Sequence, residues 1–278
     1  MTAAGRGAWL PYALVAPAGL FAAVFAVAPI MLVVVLAFTD LDLVRGTAGF
    51  VGPANIIAEL TNPDFAQVLA NTAFYALYTV PVSMIVGLLV ALTIDGLTAG
   101  KAFWRVVYFL PVASTLVAIS AVWRWIFAET SWLSSPTLAL VAVAVVGNWH
   151  QIGFVVVVYL AALGNVSPPE LDAARLDGAG AWSRFWHVTW PAMGPATLFA
   201  LVATIAQALQ LYDVVVTLTG GGPIGATTTL TYEIWSRGVR YFDVGRAAVL
   251  ALLLLTLSLL VTAVQHRVGR RLERAGSR

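Results

Sequence analysis

From Arg6 to Asp40 no charged side chain interrupts the chain. Comparable stretches run from Asp64 to Asp95, Arg105 to Arg124, Glu129 to Glu170, Arg184 to Asp213 and Arg246 to Arg267. A helix crosses a bilayer in about 20 apolar residues, so each stretch is long enough, or nearly so, to span. The pattern predicts an all-α, polytopic membrane protein with six transmembrane helices, near 11–37, 71–94, 104–127, 137–163, 191–213 and 245–265. The fourth stretch has room for two short helices, because Asn148, His150 and Gln151 interrupt its middle. One helix is preferred, since Ser134-Ser135-Pro136 and Asn165 to Pro169 already bound it.

Composition agrees. Mean hydropathy is +0.90, and 60% of residues are hydrophobic against 10% charged, outside the range of water-soluble globular domains. With no cysteine, disulfides, thiolate zinc sites and cysteine nucleophiles are excluded. His150, His187 and His266 are the only histidines, too widely separated for a local metal motif. The first apolar run extends to Phe38, well beyond the roughly 7 to 15 residues of a signal-peptide core, and is expected to remain as an anchor.

Six spans put both termini on one side. That side carries Arg6, Lys101, Arg105, Arg175, Arg184 and the five arginines from Arg267 to Arg278; the other carries Arg45, Arg124, Arg237, Arg240 and Arg246. Positive residues favour the cytoplasm, so both termini are expected inside. Segments 39–70 and 214–244 then become the larger external loops. Trp9, Trp104, Trp123, Trp125, Trp132 and Trp235 fall near span ends, where interfacial anchors belong.

The segment 167–191, SPPELDAARLDGAGAWSRFWHVTWP, holds Glu170, Asp172, Arg175, Asp177 and Arg184. Burying each in lipid would cost about 2.5–3.5 kcal/mol, so the segment faces water or a protein. Ser167 and Glu170 have the spacing of a capping box, with Pro168 at the first helical position. A short helix from about Pro168 to Leu176 is predicted, ended by a left-handed Gly178, with a second amphipathic helix from Ala179 to Trp190 that Pro191 and Pro195 stop. Ala173 and Ala174 leave the first helix nearly bare between charges. That surface suits close approach by a partner, and suits equally a capped helix lying on the membrane.

The sequence carries neither a P-loop nor a zinc-protease motif. DGLTAGKAF has Asp95 where a P-loop needs glycine and Ala102 where it needs a hydroxyl for magnesium. No H-E-x-x-H occurs, and every acid lies at or beyond a predicted span end. Polar groups inside spans need partners or a water-filled cavity. The fourth span supplies Asn148, His150 and Gln151, and the fifth Thr204, Gln207, Gln210, Tyr212 and Asp213. Thr204, Gln207 and Gln210 are predicted to share one helical face, which could line a sugar pathway or bond neighbouring helices; His150 is assigned to structure. Gly220, Gly221, Gly222 and Pro223 predict tight turns in the last external loop.

Asp172-Ala173-Ala174, Gly178, Val188 and Trp190-Pro191 resemble the EAA-x3-G-x9-I-x-L-P motif of permease subunits of bacterial binding-protein-dependent ABC importers. Asp172, Val188 and Trp190 depart from it. Asn71-Thr72-Ala73-Phe74, YFLPVAST, WRWIF and Tyr212-Asp213 followed by TLTGGGP are similar to the carbohydrate-uptake branch of that family, of maltose and glycerol-phosphate type, and the likeness covers about 12–265. It implies the type I importer permease fold, with a first helix and external loop over 1–70, a core of five spans over 71–265 with its coupling loop at 165–191, and a basic tail over 266–278. It implies that the 167–180 helix, through Glu170, Leu171, Asp172, Ala173, Ala174, Asp177 and Gly178, docks in a groove of a separate ATPase subunit, one of two cytoplasmic ATPase subunits that bind ATP and magnesium. A second homologous permease, an external sugar-binding protein or lipoprotein and the bacterial inner membrane are the other implied partners. Catalytic, cofactor and metal residues are expected to be none in this chain, and no nucleic acid is expected. The alternatives are a non-sugar solute such as glycerol phosphate or a polyamine, and a self-sufficient secondary transporter, which would need intramembrane ionisable groups.

Overall fold

The computed structural model describes residues 10–42 and 46–276. Arg6, Trp9, Arg45 and Arg278, which enter the orientation argument, lie outside the described residues, as do the side chains of Arg270, Arg271 and Arg274. The first span is continuous as α1 (Leu10–Ala22), a π turn (Ala23–Val27) and α2 (Ala28–Leu36). Pro29 follows that wide turn, at a place where the helix has already given up its regular bonding and a missing N–H costs least. The predicted external loop 39–70 contains a hairpin of β1 (Thr39–Asp42) and β2 (Thr47–Phe50), pairing Thr39 with Phe50, and then α3 (Ala54–Leu60).

The second span, α4 (Phe65–Gly96), runs unbroken through Pro81. The third differs from the single helix predicted over 104–127. It forms α5 (Lys101–Ala113) and α6 (Leu116–Ile126), bent by 96°. Pro111 weakens the last turn of α5, Ser114 and Thr115 are extended, and the Thr115 side chain caps α6 by accepting the Ala118 N–H. The fourth, α7 (Pro136–Leu163), is one helix through Asn148 to Gln151, as preferred from its boundaries.

Beyond it lie α8 (Pro168–Leu176), α9 (Ala181–Arg184), a π turn (Phe185–Thr189) and α10 (Trp190–Ala192). Pro191 therefore does not stop the second short helix; it again follows a π turn, and the break falls at Met193, where a 67° bend leads into α11 (Gly194–Leu209). Then come α12 (Asp213–Leu218), α13 (Leu230–Trp235), a π turn (Ser236–Arg240) and α14 (Val244–Gly276), which continues past the predicted end near 265. Among the described residues four helices are long and apolar enough to cross a membrane, and six spans result if each bent pair counts as one.

Cα packing separates the chain into two units. One comprises residues up to Asn62 with Ile234–Leu253. Its buried anchor is Glu59, only 1% exposed, whose carboxylate meets Arg246 Nε at 2.9 Å and Arg237 at 3.6 Å, with Asp243 beside both arginines. Asn55 Nδ2 donates to the Ala37 and Thr39 carbonyls and fixes α3 against the hairpin.

The other unit, Pro63–Glu233 with the chain from Leu254, is organised by α7. More than half of the apolar stretch of α7 is buried (56%), against 33% for α4. In lipid, helices associate mainly through close packing, so small residues mark the crossings. Gly87 of α4 lies against the Val155 side chain, and Gly153 of α7 against the Tyr108 carbonyl of α5, each leaving no room for a Cβ. The core they begin, with Ala91, Ile94, Val156, Tyr159 and Leu160, extends to Val166 and Met193. Those two residues flank the charged 167–191 segment, so the core holds both of its ends.

Candidate functional site

The segment 167–191 folds largely as its residues dictate. Ser167 is the N-cap of α8 but makes no side-chain capping bond, so the predicted capping box does not form. Pro168 and Pro169 bring no N–H to the first turn, which leaves fewer donors there to satisfy, and the Ser167 carbonyl accepts from Leu171 N–H at 3.3 Å. At the other end Gly178 has φ 76°. Its N–H donates to the Arg175 carbonyl and Ala179 N–H to the Ala174 carbonyl, both at 3.0 Å, a complete Schellman closure. Arg184 donates to the Ala179 carbonyl at 2.7 Å and ties α9 to that turn.

No residue of α8 is buried. Leu171 packs on the α4–α7 core together with Val188, which makes Leu171 an anchor rather than part of the outer surface. Glu170, Asp172, Ala173, Asp177 and Gly178 are exposed and Ala174 is half-buried. Asp172 pairs with Arg175 within the helix at 2.8 Å. Trp190, the largest departure from the motif, joins an aromatic cluster, 6.0 Å from Phe185 and 5.9 Å from Trp186 between ring centroids. Two outward residues escaped the sequence reading: Leu176, 90% exposed, and Trp182, 74% exposed. Each is an apolar side chain beside a polar turn, a signal that was present but was outweighed by the charges.

A cavity of about 170 Å³ lies where α4, α7 and the α11–α12 junction meet. Gln151, Gln207, Gln210, Tyr212 and Asp213 line it, as predicted polar candidates, together with Tyr75 and His150. Asn148 and Thr204 do not line it. Asn148 is buried with its Oδ1 unpaired. Thr204 is buried, donates to the Leu201 carbonyl, and lends its own carbonyl to Gln151 Nε2 at 3.0 Å. The expectation that Thr204, Gln207 and Gln210 share a face fails for a geometric reason. Each step of three residues falls about 60° short of a full turn, so the ends of the series are about 120° apart, and Gln210 already lies beyond Leu209, the last residue of α11. His150, assigned to structure from sequence, is instead on the cavity wall.

The glycine loop is held by hydroxyls. Gly221 has φ 84°, and a Cβ there would meet the Tyr232 ring at 2.6 Å. Thr228 Oγ1 donates to the Gly221 carbonyl, Thr227 Oγ1 to the Gly222 carbonyl, and Tyr232 to the Gly220 carbonyl. Asn71 Nδ2 of α4 reaches the Gly225 and Thr228 carbonyls at 3.0 and 2.9 Å, and Thr72 Oγ1 accepts from Leu230 N–H. Pro223 follows a cis bond from Gly222, and Ile224 at the tip is 95% exposed with φ 51°. That conformation is costly for a β-branched residue, about 1–3 kcal/mol.

The sequence and fold have known counterparts. Residues 52–274 match the family model described as the inner membrane component of binding-protein-dependent transport systems. The chain is 31% identical to the sulfoquinovosyl glycerol transport system permease protein SmoG of Agrobacterium fabrum, over 92% of this chain and 89% of that one. It is 28% identical to the sn-glycerol-3-phosphate transport system permease protein UgpA of the same organism, over 93% and 94%. Its fold is similar, with a TM-score of 0.81 at 18% identity over 95% and 96% of the two chains, to a crystal structure of a bacterial ABC transporter involved in the import of the acidic polysaccharide alginate. With four to six apolar spans and the family match over most of its length, this chain belongs to the binding-protein-dependent transport system inner membrane components.

Proposed function

We propose that this chain forms half of the translocation pathway of an ATP-driven importer for a sugar or a related polyol. The observation that carries the reading is α8, a short helix closed at its C-terminal end by Gly178, anchored by Leu171 and presenting Glu170, Ala173, Leu176 and Gly178 outward with nothing buried on it. Such a surface fits a cytoplasmic ATPase subunit, whose closure on ATP and magnesium would move α8 and, through Val166 and Met193, the α4–α7 core. Both termini are then cytoplasmic and the glycine loop faces an external binding protein, with a second permease completing the pathway.

The cavity supports a hydroxyl-rich cargo. Amide side chains both donate and accept, as hydroxyls require, and Tyr212 adds an aromatic edge. The named cargoes of the two relatives each contain a glycerol unit, which agrees.

Gly178→Val tests the coupling role. A Cβ at Gly178 meets nothing within 4 Å in the chain, so the cost inside this subunit is limited to backbone strain of about 1–2 kcal/mol. In the reconstituted complex, uptake should fall more than about tenfold while membrane insertion is retained. Normal uptake with normal substrate-stimulated ATP hydrolysis would sink the proposal.

A further inference from the structure

A second cavity, of about 450 Å³, lies between α5 and α7. Its walls are Val106 and Phe109 of α5 and Val157, Leu160 and Ala161 of α7, and Arg105 is its one polar lining residue. The two helices cross where Gly153 meets the Tyr108 carbonyl. Beyond that crossing, about one turn towards the start of α5 and one to two turns towards the end of α7, the groove opens. Although 56% of the apolar stretch of α7 is buried, Val157 and Ala161 remain exposed here, as do Val106 and Phe109 opposite them.

The charge at this groove is uncommitted. Arg105 is exposed and makes no ion pair or hydrogen bond among the described residues. Lys101, one turn earlier, is already engaged, donating to the Asp95 carbonyl and lying 3.6 Å from the Asp95 carboxylate. Arg105 is the fifth residue of α5, about 6 Å of helix rise from its start. Its neighbour Trp104 is 43% exposed and meets the Phe103 ring edge-on at 5.5 Å. Exposed aromatic side chains near the end of a span mark the level of the lipid headgroups. An arginine at that depth lays its stem along apolar surface and turns its guanidinium to the interface, where the planar fork can hold two phosphate oxygens at once.

We infer that the α5–α7 groove binds an anionic phospholipid, with an acyl chain against Val106, Phe109, Val157 and Ala161 and the headgroup phosphate on Arg105. A free phosphate would meet the guanidinium but gain nothing from the apolar walls. A zwitterionic lipid fills the walls equally, yet brings a cation that offsets the attraction of its phosphate. Basic pockets between spanning helices select anionic headgroups for this reason. The site depends neither on the cargo nor on which way the chain is inserted; in the orientation proposed above it opens to the cytoplasmic leaflet.

The test is made on the full transporter complex in phosphatidylcholine nanodiscs that contain a minor fraction of phosphatidylglycerol with a photoactivatable diazirine in its acyl chain. Illumination should label α5 around Val106 to Phe109 and α7 around Val157 to Ala161, about fivefold more strongly than the matching phosphatidylcholine probe does. Arg105→Gln should bring the two probes level, and Arg105→Lys should restore part of the difference. Ala161→Trp fills the groove from an exposed position with Arg105 intact, and should lower labelling of both helices by about fivefold; it decides the matter alone if Arg105→Gln fails to assemble. Excess inorganic phosphate should leave the label in place. Equal labelling by both probes in the natural chain, a difference unchanged in Arg105→Gln, labelling unchanged in Ala161→Trp, or displacement by inorganic phosphate would overturn the inference. So would the absence of label from both helices, the result expected if another protein segment covers the groove. Labelling does not require transport, so failure of the lipid site and failure of the importer reading are measured separately.

Discussion

Two connections in the same unit solve opposite problems. The 164–193 segment is closed on itself, through the Gly178 turn and the Arg184 side chain, and touches the core through Val166, Leu171, Val188 and Met193. The 210–231 segment is bonded to the rest of the unit at many points, with Thr229 and Thr231 donating to the Leu211 and Leu209 carbonyls and Asn71 and Thr72 of α4 holding its far side. The first leaves its surface free for another protein. The second spends its polar groups internally, which fixes the floor of a cavity and leaves Ile224 as the projecting tip. Rigidity toward the core and availability to a partner are thus placed in different connections.

The largest break in this contrast should come from Gly221→Ala, which combines a positive φ with overlap on Tyr232 and should cost about 3 kcal/mol in stability, read as a lowered Tm of the purified subunit. Asn71→Leu, similar in size, strands the Gly225 and Thr228 carbonyls and should cost about 2 kcal/mol, with faster protease nicking in the 220–228 loop. In the other connection Gly178→Ala should cost about 1 kcal/mol, because its φ is unfavourable but the space is open. Smallest of all, Asp172→Ala removes an exposed pair and should leave Tm within the shift of about 0.5 kcal/mol. If Asp172→Ala destabilised the isolated subunit as much as Asn71→Leu, the two connections would not differ as described.

The helical ending at Gly178 was legible because a left-handed turn needs glycine locally, and its closure involves only neighbours in sequence. The capping box was misread because Ser167 and Glu170 have the right types and spacing, yet the Ser167 side chain makes no capping bond. The third span could not be read as bent. Pro111 and Ser114 are compatible with a kink, a break or a straight helix, and a 96° turn is selected only when α6 packs on α12. His150 was assigned to structure and Tyr75 was passed over, since nothing in their neighbours distinguishes a wall residue from a packed one. Glu59 was invisible as a buried ion-pair centre because its partner Arg246 is 187 residues away.

The sequence alone determined which stretches are apolar enough to enter a bilayer, which segment must stay outside it and where that segment turns. Those outcomes follow from solvation costs and backbone preferences paid residue by residue, which spacing records directly. The tertiary structure alone decided which polar groups share a cavity and which are spent on bonds between helices. It brought Tyr75, His150 and Asp213 to one wall while turning Thr204 and Asn148 away. The reason is that helix rotation and bend angle are set by close packing between distant segments, and a shift of one residue in either changes which face meets water.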